Sequence, residues 1–176
     1  MKSFVNEITY NDPPIHTLIQ LHKKYPNPYA THVVSVDTVE RSLDPSGLIR
    51  TERVIGVKQS APGWIAKLFA LPPIAYVREV VFIDPDAPSA TMMSMNLDLA
   101  QYVSCLERIT YTPTEEGNTL FHQRAALISA FPTAMIARRI EKASVDRFRS
   151  NADTGRKGFE WVLAQGYKRD SDRDAA

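Results

Sequence analysis

The chain has 176 residues, of which 44% are hydrophobic and 23% are charged, and its formal net charge at pH 7 is +1. This composition is typical of one globular domain with a buried core and excludes a disordered chain. The near-neutral charge argues against a dedicated nucleic-acid binder, and the single cysteine, Cys105, excludes an internal disulfide framework. No apolar run approaches the length of about 20 residues that a membrane-spanning helix needs, and the N-terminus shows no targeting pattern. Composition alone therefore favours the cytosol.

The N-terminal segment predicts an edge strand followed by a short helix. Residues 2–10 alternate between apolar and polar side chains, which is typical of a strand. A Pro-Pro pair follows at a position that the first turn of a helix tolerates. Ile15, Leu18, Ile19 and His22 then recur at helical spacing and predict an amphipathic helix that must end before Pro26.

A Pro-punctuated aromatic turn leads from this helix into a β-hairpin. The turn begins at Lys24 with K-Y-P-N-P-Y, and His32 lies at the start of the strand that follows. Residues 32–43 alternate, reverse through a D-P-S-G turn and return as residues 48–58. Alternating runs joined by such a turn predict an antiparallel hairpin.

An apolar connection separates the hairpin from the later strands, between residues 60 and 74. Prolines bracket it, and one side of its short helical turn carries four apolar side chains with a lysine beside them: Trp64, Ile65, Leu68, Phe69 and Lys67. A connection this long and apolar is uncommon in an antiparallel sheet. It either packs on the core as a lid or inserts its apolar face among lipid acyl chains, with Lys58 and Lys67 near headgroups.

The rest of the chain predicts four more strands and one long helix. The strands are expected at residues 75–84, 90–98, 102–112 and 118–130, the helix from 131 to about 165, and a polar, frayed tail at 166–176. Consecutive strands with short turns form an antiparallel meander, and helices on one face of it give an α+β fold of one domain at residues 1–165. The alternation does not decide between a filled core and a cavity.

Neither charge nor histidine spacing identifies a catalytic site. Residues 50–79 and 132–165 are basic, and they are either ordinary solvated faces or two surfaces that meet. No nucleophile elbow, phosphate-binding loop or dinucleotide motif occurs, and the histidines lack metal-ligand spacing, so we expect no enzyme, no metal and no cofactor. His16 and His22 are expected at the surface or boundary of the first helix. His32 is either a structural hydrogen-bonding group or part of a binding site.

Seven segments in fixed order carry a resemblance to a known family. They are K-Y-P-N-P-Y at 24–29, R-T-E-R-V-I-G-V-K-Q-S-A-P-G-W-I at 50–65, Y-V-R-E-V-V-F-I-D-P at 76–85, N-L-D-L-A-Q-Y-V at 96–103, E-R-I-T-Y-T-P at 107–113, N-T-L-F-H-Q-R-A-A-L-I-S-A at 118–130 and S-N-A-D-T-G-R-K-G-F-E-W-V-L at 150–163. Over residues 1–165 the chain resembles the PRELI-like/slowmo family of intramitochondrial phospholipid-transfer proteins. The amino acids at 50–65 and at 119–125 favour the slowmo-like branch of that family.

The resemblance implies a fold, a location and a partner. The fold is a START-like curved antiparallel sheet of about seven strands around a lipid cavity, walled by the long helix and closed by an apolar lid. The partner is a small helical twin C-x9-C protein of the mitochondrial intermembrane space that forms a 1:1 heterodimer and is released at membranes. Family members enter that compartment without a presequence and contact the inner and outer membranes transiently. The implied function is the shuttling of phosphatidylserine or phosphatidic acid between them, with phosphatidylserine favoured.

The resemblance also implies which residues bind the lipid headgroup. They are Lys24, His32, Lys58, Arg147 and Asn151. A desolvated phosphate needs cations or hydrogen-bond donors around it, and these residue types supply both. The chain departs from the family at two positions: many relatives carry a lysine where this chain has Thr154, and some carry one at Val57, although Lys58 adjoins the second position.

Two other functions remain open from the residues. A helix-grip enzyme would use His32 as a general base and would need a second titratable group within hydrogen-bond reach of it. A scaffold that binds a partner without transferring lipid would have a filled core.

Overall fold

The computed structural model describes residues 1–59, 61, 63–98, 100 and 102–174, without the side chains of Leu68 and of residues 168–174. Its helices and strands follow in the order β1 (Lys2–Tyr10), α1 (Pro14–Leu21), β2 (Val33–Leu43), β3 (Ile49–Lys58), α2 (Gly63–Leu68), β4 (Ile74–Asp84), β5 (Ser89–Asn96), β6 (Val103–Pro113), β7 (Thr119–Ser129) and α3 (Ala134–Asp174). In the sheet the spatial order is β1-β7-β6-β5-β4-β3-β2, and every neighbouring pair is antiparallel. The predicted α+β fold, with its curved antiparallel sheet, short N-terminal helix and long C-terminal helix, is confirmed.

Two hairpin turns show why the sequence forms this meander. Gly47 and Gly117 adopt φ angles of +88° and +80°, which residues with a Cβ atom rarely reach. The Asp44 carboxylate accepts hydrogen bonds from the backbone N–H groups of Ser46 at 2.8 Å and Leu48 at 3.0 Å. The turn chemistry therefore fixes where β2 and β3 reverse.

The apolar core fills one end of the space between the sheet and the helices. The Phe159 ring of α3 lies at its centre, 5.4 Å from the ring of Tyr10 and 6.1 Å from the ring of Tyr111. Leu21 of α1 and Val81 of β4 are fully buried in the same cluster. These contacts hold the second half of α3 against α1 and the sheet.

The other half of the interior is lined by polar side chains that remain partly accessible. Ser94 Oγ donates to a Glu107 carboxylate oxygen at 2.7 Å, and Gln123 Nε2 donates to the other at 2.5 Å. Asn6 Nδ2 in turn donates to Gln123 Oε1 at 3.3 Å. These side chains alternate with the outward-facing ones, so a polar network lies on the inner face of the sheet, and the first half of α3 buries apolar side chains beside it, among them Ile140 and Val145.

Helix α1 is oriented differently from the sequence expectation. Ile15 and Ile19 are 59% and 54% exposed, whereas His16 is buried. The expectation that His16 lies at the surface or boundary of this helix was therefore wrong. Its Nε2 lies 3.1 Å from the Leu163 carbonyl oxygen, and its ring stacks on Tyr167 at 3.9 Å, because α3 supplies polar and aromatic partners there.

Helix α3 continues beyond the boundary expected at residue 165. It runs to Asp174, and the stacking of Tyr167 on His16 joins its last turns to α1. A Cβ atom at Gly166 would lie 2.8 Å from the His16 ring, so this glycine permits the close approach. In the part of the chain that the structure describes, no helix has the length and apolarity to cross a membrane.

Candidate functional site

The turn that carries Lys24 is locked by the side chain of Asn27. Asn27 Nδ2 donates to the Lys24 carbonyl oxygen at 2.8 Å, and Asn27 Oδ1 accepts from the N–H groups of Tyr29 at 3.0 Å and Ala30 at 2.9 Å. The same side chain packs on α3, where a Cβ atom at Gly158 would lie 2.8 Å from Asn27 Oδ1. A glycine in the helix thus lets the turn approach and sets the position of Lys24.

The Lys24 ammonium lies among aromatic rings at the inner end of the site. Its Nζ is 5.6 Å from the ring centroid of Tyr25 and 5.9 Å from that of Phe159. Burial alone would lower the pKa of Lys24, but the surrounding phenol oxygens, foremost those of Tyr25 and Tyr111, and the Glu79 carboxylate hold it above its usual value. The group therefore stays charged at neutral pH.

A buried ion pair forms the floor beneath Lys24. Arg53 is 2% exposed, and its Nε donates to Glu79 Oε1 at 2.8 Å. The Tyr111 hydroxyl and the Nδ1 atom of His22 are buried nearby without a hydrogen-bond partner among the described residues. Burial, then the charges of Arg53 and Arg41, lower the pKa of His22 to about 4.

Three of the predicted cations act on His32. Partial burial comes first, followed by the positive charges of Arg147, Lys24 and Lys58, and all of them lower the pKa of His32. Lys58 is fixed beside it because its backbone N–H donates to the His32 carbonyl oxygen at 2.8 Å. The fold therefore brings together four residues from separate segments, and the charges acting on the imidazole are all positive. Such a cluster is suited to an anion.

Asn151 is less closely connected to this cluster. It lies one helical turn after Arg147 on α3 with an exposed side chain, and no hydrogen bond joins it to the other four within the described residues. Thr154 is exposed on the same helix, and Val57 pairs with Val33 in the hairpin. The headgroup role of these residues stays a prediction.

The lid helix α2 is closed over one end of the interior. Ile65 is buried, and the Phe69 ring lies 5.2 Å from Tyr102 and 5.8 Å from Phe131. Trp64 is 40% exposed, with the guanidinium carbon of Arg139 5.6 Å from its ring. Lys67 is exposed, whereas Ser60, Pro62 and the side chain of Leu68 lie outside the described residues. Within the described residues, the segment therefore presents the Trp64 ring to solvent and packs Ile65 and Phe69 inward.

Sequence reasoning missed the floor of the site. The sequence gives no sign that Tyr111, Arg53 and Glu79 differ from other strand residues, because alternation does not show which face of a strand points inward. An arginine and a glutamate opposed in neighbouring strands would have been the signal, but the pairing of Arg53 with Glu79 depends on the register between β3 and β4.

Comparison with known proteins assigns the family. Residues 19–169 match the model of the PRELI-like family. The chain belongs to the PRELI-like family. It is 36% identical over 167 residues to Protein UPS2, mitochondrial, of Saccharomyces cerevisiae. The aligned region covers 93% of this chain and 73% of that relative. It is 27% identical to PRELI domain-containing protein 1, mitochondrial, of Homo sapiens, over 81% of this chain and 66% of that protein.

Solved structures agree on the fold of this PRELI-like chain. Human STARD10 superposes with a TM-score of 0.62 at 8% identity, over 97% of this chain and 66% of that one. The Zhui aromatase/cyclase from Streptomyces sp. R1128 gives a TM-score of 0.62 at 13% identity, over 96% and 94%. At such identities the likeness shows the fold alone.

Two glycines of α3 provide a matched test of how the Lys24 turn is positioned. A Cβ atom at Gly155 meets nothing within 4 Å, whereas one at Gly158 collides with Asn27. We expect Gly155→Ala to stabilise the protein by about 1 kcal/mol, because alanine favours the helix. Gly158→Ala should lose that gain, because its methyl group would displace Asn27, and thermal unfolding measures both changes. Equal behaviour of the two variants would contradict the role of Asn27.

Proposed function

We propose that this protein binds an anionic glycerophospholipid between its sheet and α3 and carries it between the outer and inner mitochondrial membranes across the intermembrane space. The observation that carries the proposal is the convergence of Lys24, Lys58 and Arg147 on His32. Cations gathered from distant segments repel one another unless an anion joins them. A phosphodiester or phosphomonoester headgroup is such an anion.

The interior supports a lipid as the cargo. Carrying a phospholipid through water requires that its acyl chains be hidden and its phosphate be paired after desolvation. The lid supplies inward-facing apolar groups in Ile65 and Phe69, and the half-buried Arg147 of α3 supplies a cation inside. The exposed Trp64 gives the closed lid an apolar group with which to meet a bilayer.

The names of the relatives support a mitochondrial location. Two of the compared relatives are named as mitochondrial proteins. We place this protein in the intermembrane space, peripheral to both membranes, because a carrier of this kind acts between two membranes. The expected cargo is phosphatidylserine, with phosphatidic acid as the alternative, because the amino acids of two segments resemble the slowmo-like branch of the family.

A transfer assay between vesicles tests the proposal. Donor vesicles would carry fluorescent phosphatidylserine, phosphatidic acid or phosphatidylcholine, and the appearance of each in acceptor vesicles would be timed. We expect catalysed transfer of an anionic lipid and little of phosphatidylcholine, because the headgroups of phosphatidylserine and phosphatidic acid are net negative, whereas that of phosphatidylcholine carries no net charge to offset the three cations. Equal rates for all three would contradict headgroup recognition by charge.

An enzymatic role for His32 is the alternative on this fold. A general base works best with a pKa near the working pH, but partial burial and then three positive charges lower the pKa of His32. No hydrogen bond from its side chain to a titratable group occurs among the described residues. We therefore propose that the protein makes and breaks no covalent bond and needs no cofactor.

We also propose a protein partner, a small disulfide-stapled helical protein of the twin C-x9-C type bound in a 1:1 heterodimer. Large apolar side chains stand exposed on several surfaces of the isolated chain, among them Ile19, Met93 and Leu106. A covering partner would keep them from self-association. A scaffold that binds this partner without carrying lipid remains the competing role, and the lipid measurements distinguish the two.

A further inference from the structure

One hydroxyl group at the inner end of the lipid site has no partner in the fold. The Tyr111 side chain is 1% exposed, and its Oη atom makes no hydrogen bond within the described residues. A buried donor that is left unsatisfied costs free energy, because folding removes its hydrogen bonds to water and supplies nothing in return. Most buried side-chain polar atoms in native proteins do have a partner, so this hydroxyl needs an explanation.

Packing fixes the Tyr111 ring and therefore the position of its hydroxyl. The ring meets the edge of Phe121, with ring centroids 5.4 Å apart and an interplanar angle of 71°. It also lies 6.1 Å from the ring of Phe159 on α3. Aromatic contacts from the sheet and from the helix hold the ring, so only the hydroxyl hydrogen is free to rotate. The hydroxyl therefore stays at the inner end of the site and cannot move to an acceptor elsewhere.

The Lys24 ammonium lies beside this hydroxyl. Its Nζ atom is 5.9 Å from the centroid of the Phe159 ring, against which Tyr111 also packs, and Lys24 is the charged group that acts most strongly on Tyr111. Burial raises the pKa of Tyr111 more than this positive charge lowers it, so the hydroxyl keeps its proton at neutral pH. An ammonium has donors and no lone pair, so Lys24 cannot accept the hydrogen bond.

The Glu79 carboxylate near these two groups is already engaged. Its Oε1 atom accepts hydrogen bonds from Nε and a terminal nitrogen of Arg53, which is buried with it. In the described part of the chain, the Lys24 ammonium contacts two aromatic rings and forms no ion pair. Two neighbouring donors, one charged and one neutral, therefore both lack an acceptor. A phosphate oxygen fits this arrangement because it accepts from both kinds of donor.

We infer that Tyr111 binds the phosphate of the cargo: its hydroxyl donates a hydrogen bond to the phosphate group that the Lys24 ammonium also contacts. This inference rests on the proposed function and adds a headgroup-binding residue to it. A phenol supplies a directional donor without a charge, so it strengthens phosphate binding without adding to the repulsion among the cations of the site. The phosphate group is common to anionic phospholipids and to free phosphate, so the experiment separates these two sources.

Tyr111→Phe tests the inference, because folding and binding respond in opposite directions. The variant keeps the ring and removes the unsatisfied hydroxyl, so the melting temperature of the lipid-free protein should stay the same or rise. The affinities for dioctanoyl phosphatidylserine and dioctanoyl phosphatidic acid, measured by calorimetry, should fall about tenfold or more, because a hydrogen bond to a charged group contributes at least this much. Tyr76→Phe, at an exposed site on β4, is the matched control and should change neither quantity.

Two further probes identify the part of the ligand that the hydroxyl contacts. Dioctanoylglycerol has the same acyl chains and ester groups without the phosphate, so Tyr111→Phe should leave its affinity unchanged. Inorganic phosphate has the anion without the chains. We expect the wild type to bind it far more weakly than the short-chain phospholipids, because it buries no apolar surface.

The outcomes distinguish failure of the inference from failure of the proposed function. A loss of affinity for the two phospholipids that is absent for dioctanoylglycerol supports the inference. Unchanged phospholipid affinity, an equal loss for dioctanoylglycerol, or a lowered melting temperature of the lipid-free variant overturns it and leaves the proposed function standing. Inorganic phosphate that binds as tightly as the phospholipids, and more weakly to the variant, would support the contact with Tyr111 and overturn the lipid as cargo. A wild type that binds neither phospholipid overturns both.

Discussion

Lys24→Glu is expected to abolish transfer of anionic phospholipid between vesicles. The change reverses the charge at the inner end of the site, next to the Glu79 carboxylate, and removes one of the three cations that act on His32. A charged hydrogen bond to phosphate contributes about 1.5–3 kcal/mol, so even the neutral variant Lys24→Met should transfer about 10- to 150-fold more slowly. The measurement is the initial rate of phosphatidylserine transfer between liposomes.

Lys23→Glu is the matched control for this experiment. Its side chain is exposed and adjoins Lys24 in the sequence, so it alters net charge equally without entering the site. Circular dichroism of all three variants should show an intact fold. If Lys24→Met transferred lipid at the wild-type rate, Lys24 would have no part in headgroup binding.

Replacing the apolar lid residues is expected to have the second-largest effect. Changing Trp64, Ile65, Leu68 and Phe69 to serine removes the exposed Trp64, which is proposed to enter the bilayer, together with Ile65 and Phe69, which pack inward while the lid is closed. Inserting one such side chain contributes roughly 1.5–3 kcal/mol. Membrane docking, measured by liposome flotation, and transfer rate should therefore both fall by orders of magnitude.

Trp64→Ser alone separates docking from folding. Trp64 is already largely accessible, so its loss should change the melting temperature little, whereas Ile65 is buried and contributes to packing. We expect weaker flotation from the single variant, and no change from Ile15→Ser at an exposed position of α1. If the variant with all four serines kept the wild-type flotation and transfer rate, the lid would serve only to pack the core.

The strands and hairpins were predictable because local chemistry determines them. The D-P-S-G turn places Gly47 where a positive φ is required, and alternation in the flanking segments sets the strands. The orientation of α1 was not predictable, because the side of the helix that turns inward depends on the residues of α3 that pack against it. Of the apolar residues at helical spacing, Leu18 is buried but Ile15 and Ile19 are exposed. The helix turns His16 inward instead, because α3 offers a carbonyl oxygen and an aromatic ring to it.

The candidate site was accessible from the sequence only through the family resemblance. Lys24, Lys58 and Arg147 lie in three separate segments, and no spacing rule brings them to one imidazole. The pairing of the floor residues Arg53 and Glu79 depends on strand register. Register is set by the packing of the whole sheet and by turn geometry, so this contact required the structure.

The lipid that accompanies the protein through purification tests the central claim most directly. The partner-bound protein would be purified from cells whose membranes contain phosphatidylserine, phosphatidic acid and phosphatidylcholine, and its lipid would be identified by native and lipid mass spectrometry. The account predicts one anionic glycerophospholipid per protein, enriched over its share of the cell membranes and lost in Lys24→Glu. Protein without lipid, or with lipids in the proportions of the bulk membrane, would contradict it.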